Sequence, residues 1–346
     1  MIGVMSGTSL DGIDIVYVNF TLEDKWKFKI LKSQTFSYNK SFQIKLKNLH
    51  LKPEKIISIE NRFYTMLLAK TILKFIKSNK LSEIDAICSH GHTLFHQPEI
   101  GYTFQMGNEK KLAELIDHIV VCDFRIQDVS LGGQGAPLVP IGDHLLFSDY
   151  DSCLNLGGFA NATMNKKGKL IAYDLCAVNT VLNFLAQKKG LIYDDRGSFA
   201  KRGTLIQPLL DELQKLDYYS KNGPKSLGIE WVNKSVYPIL GKYEKYEIDD
   251  LLKTYTYHIG KIIGNSFEKD QRVLATGGGV KNDYLMYLIQ VNSNANFIIP
   301  SQKLVDYKEA LIFGLLGVLR LRNEINCLSS VTGSSMDHSC GVIYEP

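Results

Sequence analysis

The chain opens with a continuous apolar run, Ile2–Met5, and breaks into a stretch of glycines, hydroxyls and acids. Alternating apolar positions then resume over Ile13–Phe20 and Lys27–Thr35. Period-two alternation bounded by charged turns predicts three strands. Over Glu54–Ser78 the period lengthens. Ile56, Ile59, Phe63, Met66, Leu67 and Leu73 fall on one stripe, the signature of an amphipathic helix. Ile84–Cys88 reads as a short buried strand ending at Ser89-His90-Gly91. A helix, Lys110–Asp117, leads into another buried strand, Ile119–Cys122. Strands alternating with helices predict α/β layers around a largely parallel sheet.

The second half starts the same order again. Cys153–Leu156 predicts a strand, Gly157-Gly158 a turn, Asn161–Asn165 a second strand, Lys166-Lys167-Gly168 a turn and Lys169–Tyr173 a third strand. The sequences barely resemble each other, but the order of elements repeats. One reading is a meander of the kind any α/β chain can contain; the other is a true repeat, with two similar domains facing one another across a cleft, each offering a glycine-rich turn to it. Helices are expected at Val178–Lys188, Leu205–Leu216, Ile248–Phe267 and Lys308–Asn323, with a strand at Arg272–Thr276 and an irregular insertion around Pro224–Trp231.

Composition narrows the class. With 346 residues, 45% hydrophobic and 22% charged, the chain has the make-up of a folded two-domain protein and not of a disordered one. Net charge is +4 and the lysines are spread over helix faces, so nucleic acid is not an expected partner. The apolar run from Ala310 to Leu319 ends at Arg320, short of the roughly 18 residues that span a bilayer, and no membrane association is expected. The first basic residue is Lys25, which argues against a secretory signal. Six scattered cysteines without a C-x-x-C pair read as reduced thiols, so a cytoplasmic location is expected.

Four stretches could carry chemistry. In the opening turn, Gly7 and Gly12 let backbone N–H groups converge on an anion, and Thr8 and Ser9 add donors. Asp11 and Asp14 would repel a bare phosphate but suit one that arrives with Mg²⁺, held by carboxylate, often through water. Gly277, Gly278 and Gly279 follow a buried strand, where a nucleotide can approach backbone closely. His90, His92 and His96 crowd into seven residues, and H-x-H spacing can chelate a transition metal or line a substrate loop. In Asp123–Pro140, Arg125 can grip a carboxylate, while Gln134 sits between glycines and is stiffened by Pro137 and Pro140. The competing reading of that stretch is an interdomain linker. Asp174 ends a predicted strand as either a proton acceptor or a helix N-cap. Glu309, early on an apolar helix, is either a dipole-stabilising acid or a second carboxylate of the site.

Gly7-Thr-Ser-Leu-Asp-Gly-Ile-Asp14, Ser89-His-Gly91, Asp123-Phe-Arg125, Gly132-Gly-Gln-Gly-Ala-Pro-Leu-Val-Pro140, Asn155-Leu-Gly-Gly158, Thr276-Gly-Gly-Gly279 and Ser330-Val-Thr-Gly333 occur in the order of one family. The chain resembles the anhydro-N-acetylmuramic acid kinases of cell-wall recycling, within the superfamily of actin, hexokinase and Hsp70. The resemblance implies an α/β fold of two RNase H-like domains facing an ATP cleft. The expected divisions are residues 1–135 with a returning tail from about 327 to 346, and residues 136–326. It implies ATP-dependent ring opening and 6-phosphorylation of 1,6-anhydro-N-acetylmuramic acid, with ATP and Mg²⁺ as cofactors. Asp174 would be the base. Gly7, Thr8, Ser9, Leu10, Asp11, Gly12, Ile13 and Asp14 would bind the phosphates together with Gly277–Gly279, with Asp11 and Asp14 toward Mg²⁺. His90, Gly91, His92, Arg125, Gln134, Gly135, Ala136, Pro137 and Glu309 would lie near the sugar.

Two departures stand out. Where the family usually has Asp-Thr-Gly-Pro-Gly-Asn around its base, this chain has Asp174-Leu175-Cys176-Ala177-Val178-Asn179, and His92 stands where Gln is common. Any contact that needs a small residue or positive φ at Cys176 or Val178 is placed in question. Two other readings compete with the kinase: a metal-dependent hydrolase built on His90, His92 and His96, and a non-catalytic actin-like ATP-binding protein. The sequence leaves a homodimer open.

Overall fold

The computed structural model describes residues 1–7, 10–166, 168–221 and 225–346, with the side chain of residue 166 set aside. Thr8 and Ser9 of the opening turn, Lys167 of the predicted turn and Pro224 of the predicted insertion therefore lie outside the described residues.

The alternating patterns form strands where they were expected, each a little longer. β1 (Ile2–Ser6), β2 (Gly12–Leu22) and β3 (Trp26–Ser37) make an antiparallel meander. After the helix Glu54–Asn79 come β4 (Ile87–Gln97), β5 (Tyr102–Met106) and β6 (Val120–Cys122). The second half builds β7 (Ser152–Leu156), β8 (Phe159–Lys166) and β9 (Lys169–Ala177) as another meander, then β10 (Arg272–Thr276) and β11 (Asn296–Ile298). The helix Gln302–Leu321 and β12 (Val342–Tyr344) close the chain.

The first sheet runs β12-β6-β4-β1-β2-β3, with β5 paired to β4, and the second runs β11-β10-β7-β8-β9. In each, a meander is extended from its first strand by parallel neighbours, β4 on β1 and β10 on β7. The repeat read from the order of turns and strands is thus present as one sheet order used twice. Parallel neighbours need crossover connections, and helices supply them: Glu54–Asn79 between β3 and β4, and Ile248–Gly264 between β9 and β10.

Contacts divide the chain into two compact units, residues 1–146 with 307–346, and residues 147–306. The sequence placed the divisions at 135/136 and about 326/327. The first unit regains the chain earlier because the helix Gln302–Leu321 packs on its sheet. Phe313 lies 4.6 Å from the His90 ring and 5.6 Å from Phe124. Each unit has its own apolar core, around Ile2, Ile15, Leu68 and Ile87 in the first and around Leu154, Leu185, Ile259 and Leu285 in the second.

Two elements differ from expectation. The helix Glu54–Asn79 forms, but its predicted stripe faces outward: Ile56, Ile59, Phe63, Met66 and Leu73 are exposed. The buried face carries Ile57, Tyr64, Leu68, Ile72 and Phe75. Both faces are apolar, so periodicity could not choose between them. The buried face is the one whose Tyr64 hydroxyl reaches Ser6 at the end of β1, at 2.7 Å. The second difference is β4, which continues through His90, His92 and His96 instead of ending at Ser89. Gly91, at φ +74°, absorbs one extra residue between Ser89 and His92, a bulge glycine accommodates readily. Beyond it the strand pairs with β5, which no sequence signal had marked.

Candidate active site

In the first unit the phosphate-turn candidates sit between β1 and β2. Ser6, buried at the strand end, is hydrogen-bonded by Tyr64 and lies 2.9 Å from the Tyr38 hydroxyl, which in turn lies 2.9 Å from that of Tyr64. This triangle of hydroxyls fixes the base of the turn. Leu10 takes φ +60° and donates its N–H to the Gly7 carbonyl at 3.3 Å. Asp11 is exposed and Ile13 is buried in the core. Asp14 sits on β2 opposite Met5 and accepts the Thr35 hydroxyl on Oδ1. Gly12 is required by packing, since a Cβ there would lie 2.5 Å from the Phe36 carbonyl oxygen. Asp11 and Asp14 offer hard carboxylate oxygens, the donor type that Mg²⁺ prefers.

Two of the sugar-side candidates, His90 and Gly135, meet at Arg125. Its Nε donates to His90 Nε2 at 3.0 Å and its Nη1 to the Gly135 carbonyl. His90 Nδ1 lies 2.8 Å from the Gly91 carbonyl, so that nitrogen carries the hydrogen and Nε2 is the acceptor. Burial first, then the neighbouring guanidinium, holds His90 well below the usual imidazole range. Burial lowers His92 to about 4, and it lowers His96 as well. Three neutral rings engaged in separate contacts do not make a metal centre. His90 serves Arg125, His92 packs 5.9 Å from the Tyr64 ring, and His96 Nδ1 meets the Thr103 hydroxyl at 3.0 Å. Among the described residues, none of them joins a group of converging metal ligands.

The Gly132–Pro140 stretch is not a linker. The Gln134 N–H donates to the Thr332 carbonyl at 2.8 Å, the Gly135 N–H to Asp128 Oδ2 at 2.7 Å, and the Ala136–Pro137 peptide is cis. The last two residues of the stretch, Val139 and Pro140, already belong to the helix Val139–Leu146. Asp128, fully buried, also accepts the Thr332 hydroxyl at 2.7 Å. Asp128 and Thr332 are therefore the posts on which the loop is strung.

Asp123 follows β6 at φ +60° and accepts the Asn108 amide at 3.2 Å. Burial raises its carboxyl to about 6. The same Asn108 amide also reaches the His90 carbonyl, so Asp123 and the histidine strand share one support. Asn108 lies in no glycine- or histidine-rich stretch, and Asp128, although inside the Asp123–Pro140 stretch, gives no local sign of its role because two of its partners lie near residue 330.

Glu309 settles one alternative. The helix begins at Gln302, which puts Glu309 two turns in, too deep to act on the helix dipole. It keeps solvent contact, yet desolvation raises its carboxyl. Lys308 and Arg125 counter that rise, while Asp11 and Asp143 add to it. Glu309 thus shares a field with both the sugar-side arginine and the phosphate turn.

In the second unit Asp174 lies inside β9, three residues before its end, and not at the strand terminus. A bulge at Leu175 separates the Ala160–Cys176 and Asn161–Asp174 pairings. The Leu227 N–H donates to Asp174 Oδ2 at 2.8 Å, the Tyr218 hydroxyl to the Asp174 carbonyl at 2.7 Å, and the Asp174 N–H to the Lys225 carbonyl. Burial raises its carboxyl, opposed by the Leu227 N–H. The N-cap reading fails, because the next helix, Asn179–Gln187, starts from Val178. The departure at Leu175–Val178 is absorbed by the core. All four residues are buried, and neither Cys176 nor Val178 takes positive φ.

Among the three consecutive glycines, Gly277 and Gly279 abut β7. A Cβ on Gly277, already at φ +85°, would lie 2.5 Å from Asn155 Oδ1, and one on Gly279 2.7 Å from Leu156 Cβ. One on Gly278 would meet nothing within 4 Å. Gly277→Ala is therefore expected to cost about 1–3 kcal/mol of stability, visible as a lowered Tm. Gly278→Ala should leave Tm unchanged. Equal melting of the two variants would show that packing does not distinguish them.

One sheet order is used twice in the chain, and the comparison with known families makes the protein a phosphotransferase. The chain belongs to the anhydro-N-acetylmuramic acid kinase family, whose model matches residues 1–346. Anhydro-N-acetylmuramic acid kinases of Sulfurimonas denitrificans, Aliivibrio fischeri and Caldanaerobacter subterraneus subsp. tengcongensis are similar to it at 34%, 31% and 31% identity. These alignments cover 99%, 99% and 96% of this chain and 99%, 98% and 94% of the relatives. Among solved structures, the Acidaminococcus fermentans (R)-2-hydroxyglutaryl-CoA dehydratase component A aligns over 90% of this chain and 94% of that chain. Its identity is 12% and its TM-score 0.46. No helix among the described residues is long and apolar enough to cross a membrane.

Proposed function

We propose that the chain uses ATP and water to convert 1,6-anhydro-N-acetylmuramic acid to N-acetylmuramic acid 6-phosphate, in the cytoplasm, as a step of cell-wall recycling. The observation that carries this reading is the family match over the whole chain. The hydrolase alternative loses support because the three histidines do not converge as ligands.

In the proposed mechanism the Asp174 carboxylate takes a proton from a water that attacks C1. The C1–O6 bond of the anhydro bridge breaks, and O6 accepts the γ-phosphoryl group of ATP, with ADP leaving. Burial of Asp174 suits the task, since a raised pKa makes a carboxylate a stronger base once ionised. The Leu227 N–H on Oδ2 sets the direction of the carboxylate. Gly7 to Asp14 and Gly278 serve the phosphates. Asp11 and Asp14 would hold Mg²⁺, which supplies neutralisation of phosphate charge. Arg125, the His90–His92 strand, Gln134 to Pro137 and Glu309 serve the sugar, and Arg125 is suited to its lactyl carboxylate.

Reaction in ¹⁸O-labelled water tests the order of events. The label is expected at C1 of the product and none in phosphate; label in released phosphate without a sugar phosphate would mean ATP hydrolysis alone. A single-turnover assay with Mg-ATP and the anhydro-sugar separates the kinase from a non-catalytic ATP-binding relative. Nucleotide binding with no sugar phosphate formed would favour the latter.

A further inference from the structure

Behind the Gly132–Pro137 loop, the C-terminal segment brings a second set of chemical groups together. Asp128, Cys327 and His338 are all buried, and their ligand-type atoms lie within 4.8 Å of one another. They are the one such group among the described residues. Backbone structure holds them there. Cys327 and His338 face each other across an antiparallel bridge, exchanging N–H···O bonds of 3.1 Å in both directions. The Asn326 side chain ties that bridge to Leu316 and Cys340.

The protons do not balance within this group. His338 Nδ1 lies 3.1 Å from the Met336 carbonyl, which can only accept, so Nδ1 carries the hydrogen. In the neutral ring Nε2 is then a bare lone pair. It is buried without a hydrogen-bond partner and points at Asp128 Oδ1, 3.6 Å away, with the His338 side chain only 5% exposed. Oδ1 is another acceptor, already taking the Thr332 hydroxyl and, at 3.1 Å, the Cys327 thiol. Two lone pairs facing each other in a dry interior repel unless a positive charge lies between them.

We propose that Asp128, Cys327 and His338 form a binding site for a zinc-class divalent transition metal. Nitrogen, sulfur and carboxylate oxygen are zinc's ordinary donors, at about 2.0–2.3 Å. Tetrahedral geometry at those lengths separates ligand atoms by about 3.3–3.7 Å, close to the His338–Asp128 spacing. The Met336 carbonyl on Nδ1 is the outer support that orients a ligating imidazole. Charge also balances: binding M²⁺ expels the Cys327 thiol proton to solvent, and one carboxylate plus one thiolate neutralise the ion. Hydrogen bonding with Cys340, burial and the adjacent carboxylate keep the Cys327 thiol protonated until then. Asp128 Oδ2 holds the Gly135 N–H, so the ion would lock the glycine loop to the C-terminal segment.

The test is a cobalt titration of the full chain, stripped with chelator under reductant and kept anaerobic. One Co²⁺ per chain is expected to bind, with a thiolate-to-cobalt charge-transfer band, tetrahedral d–d bands, release of one proton and a raised Tm. His338→Ala and Cys327→Ser should each abolish the charge-transfer band, and Cys340→Ser should retain it. The site is overturned if wild-type protein shows no such band, or if the band survives in either ligand variant. It is equally overturned if ¹⁵N NMR finds His338 protonated on both nitrogens and cobalt is refused; the pair would then be an imidazolium–carboxylate ion pair. None of these readouts uses kinase activity, so failure of the site leaves the catalytic reading untouched.

Discussion

Asp174→Asn is expected to bind ATP and the anhydro-sugar with near-normal affinity and to lose turnover by about 10²–10⁴-fold, the usual worth of a positioned general base. The substitution keeps the geometry, since the amide oxygen of Asn can still accept the Leu227 N–H that now reaches Asp174 Oδ2 at 2.8 Å. What it removes is the capacity to take a proton from water. The pH profile carries a second signature. Burial raises the Asp174 pKa in the folded chain, and the base works only when ionised. In the wild type kcat/KM should therefore fall as pH drops through a value above the ordinary carboxylate range, and the residual rate of the variant should lack that limb. The stability sign is opposite. A carboxyl whose folded pKa is raised stabilises the folded state below its unfolded pKa, and that contribution is lost as pH rises through the folded one. At neutral pH the neutral Asn is thus expected to leave Tm unchanged or slightly higher. Wild-type-like kcat in this variant would remove Asp174 as the base.

How far the sequence disclosed this molecule depends on the range of the forces involved. Alternation in Ile13–Phe20 and the apolar runs at Ile2–Met5 and Arg272–Thr276 are local signals, and the strands they predict are present. Because the same run of turns occurs twice, the doubled sheet order was legible as well. The buried face of the helix Glu54–Asn79 was not. It has apolar residues all round, and the choice was made by Tyr64 meeting Ser6, 58 positions away. Gly91 reads as a turn in sequence because a bulge leaves no local trace, and the histidine strand therefore runs past its expected end. At the site, Gly278 and Gly277 are indistinguishable as letters and differ only in what β7 places beside them. Asp128 is the extreme case. It carries no motif of its own, and the groups it serves are Gly135 nearby and Thr332 and Cys327 about two hundred positions away. A single sequence offers no signal for such a contact. The Ser330–Gly333 motif hints only that the C-terminal segment matters.

Asp128→Ala is expected to be the most destabilising single change in the first unit, by about 3–5 kcal/mol. Two donors lose their acceptor at once, the Gly135 N–H and the Cys327 thiol, and the Thr332 hydroxyl is left with the longer 3.3 Å contact to the Leu328 carbonyl. A buried donor left without a partner costs about 1–3 kcal/mol, and the space vacated by a fully buried carboxylate adds to this. In a unit of this size each kcal/mol corresponds to about 2–4 °C, so Tm should fall by about 6–20 °C. The effect on catalysis should follow the loop. Freed from Asp128, Gly135 no longer presents its carbonyl to Arg125 Nη1, and Arg125 loses one of the two contacts that aim it. The sugar KM is then expected to rise about 10-fold or more, while the KM for ATP, whose proposed contacts lie elsewhere, moves little. Asp128→Asn separates the two contributions. It keeps an oxygen for one donor but turns an NH₂ group toward the others, so its Tm should fall between those of Ala and wild type. A wild-type Tm with an unchanged sugar KM in Asp128→Ala would mean that the loop is held by the Gln134–Thr332 backbone bond alone, and that the buried carboxylate is not its anchor.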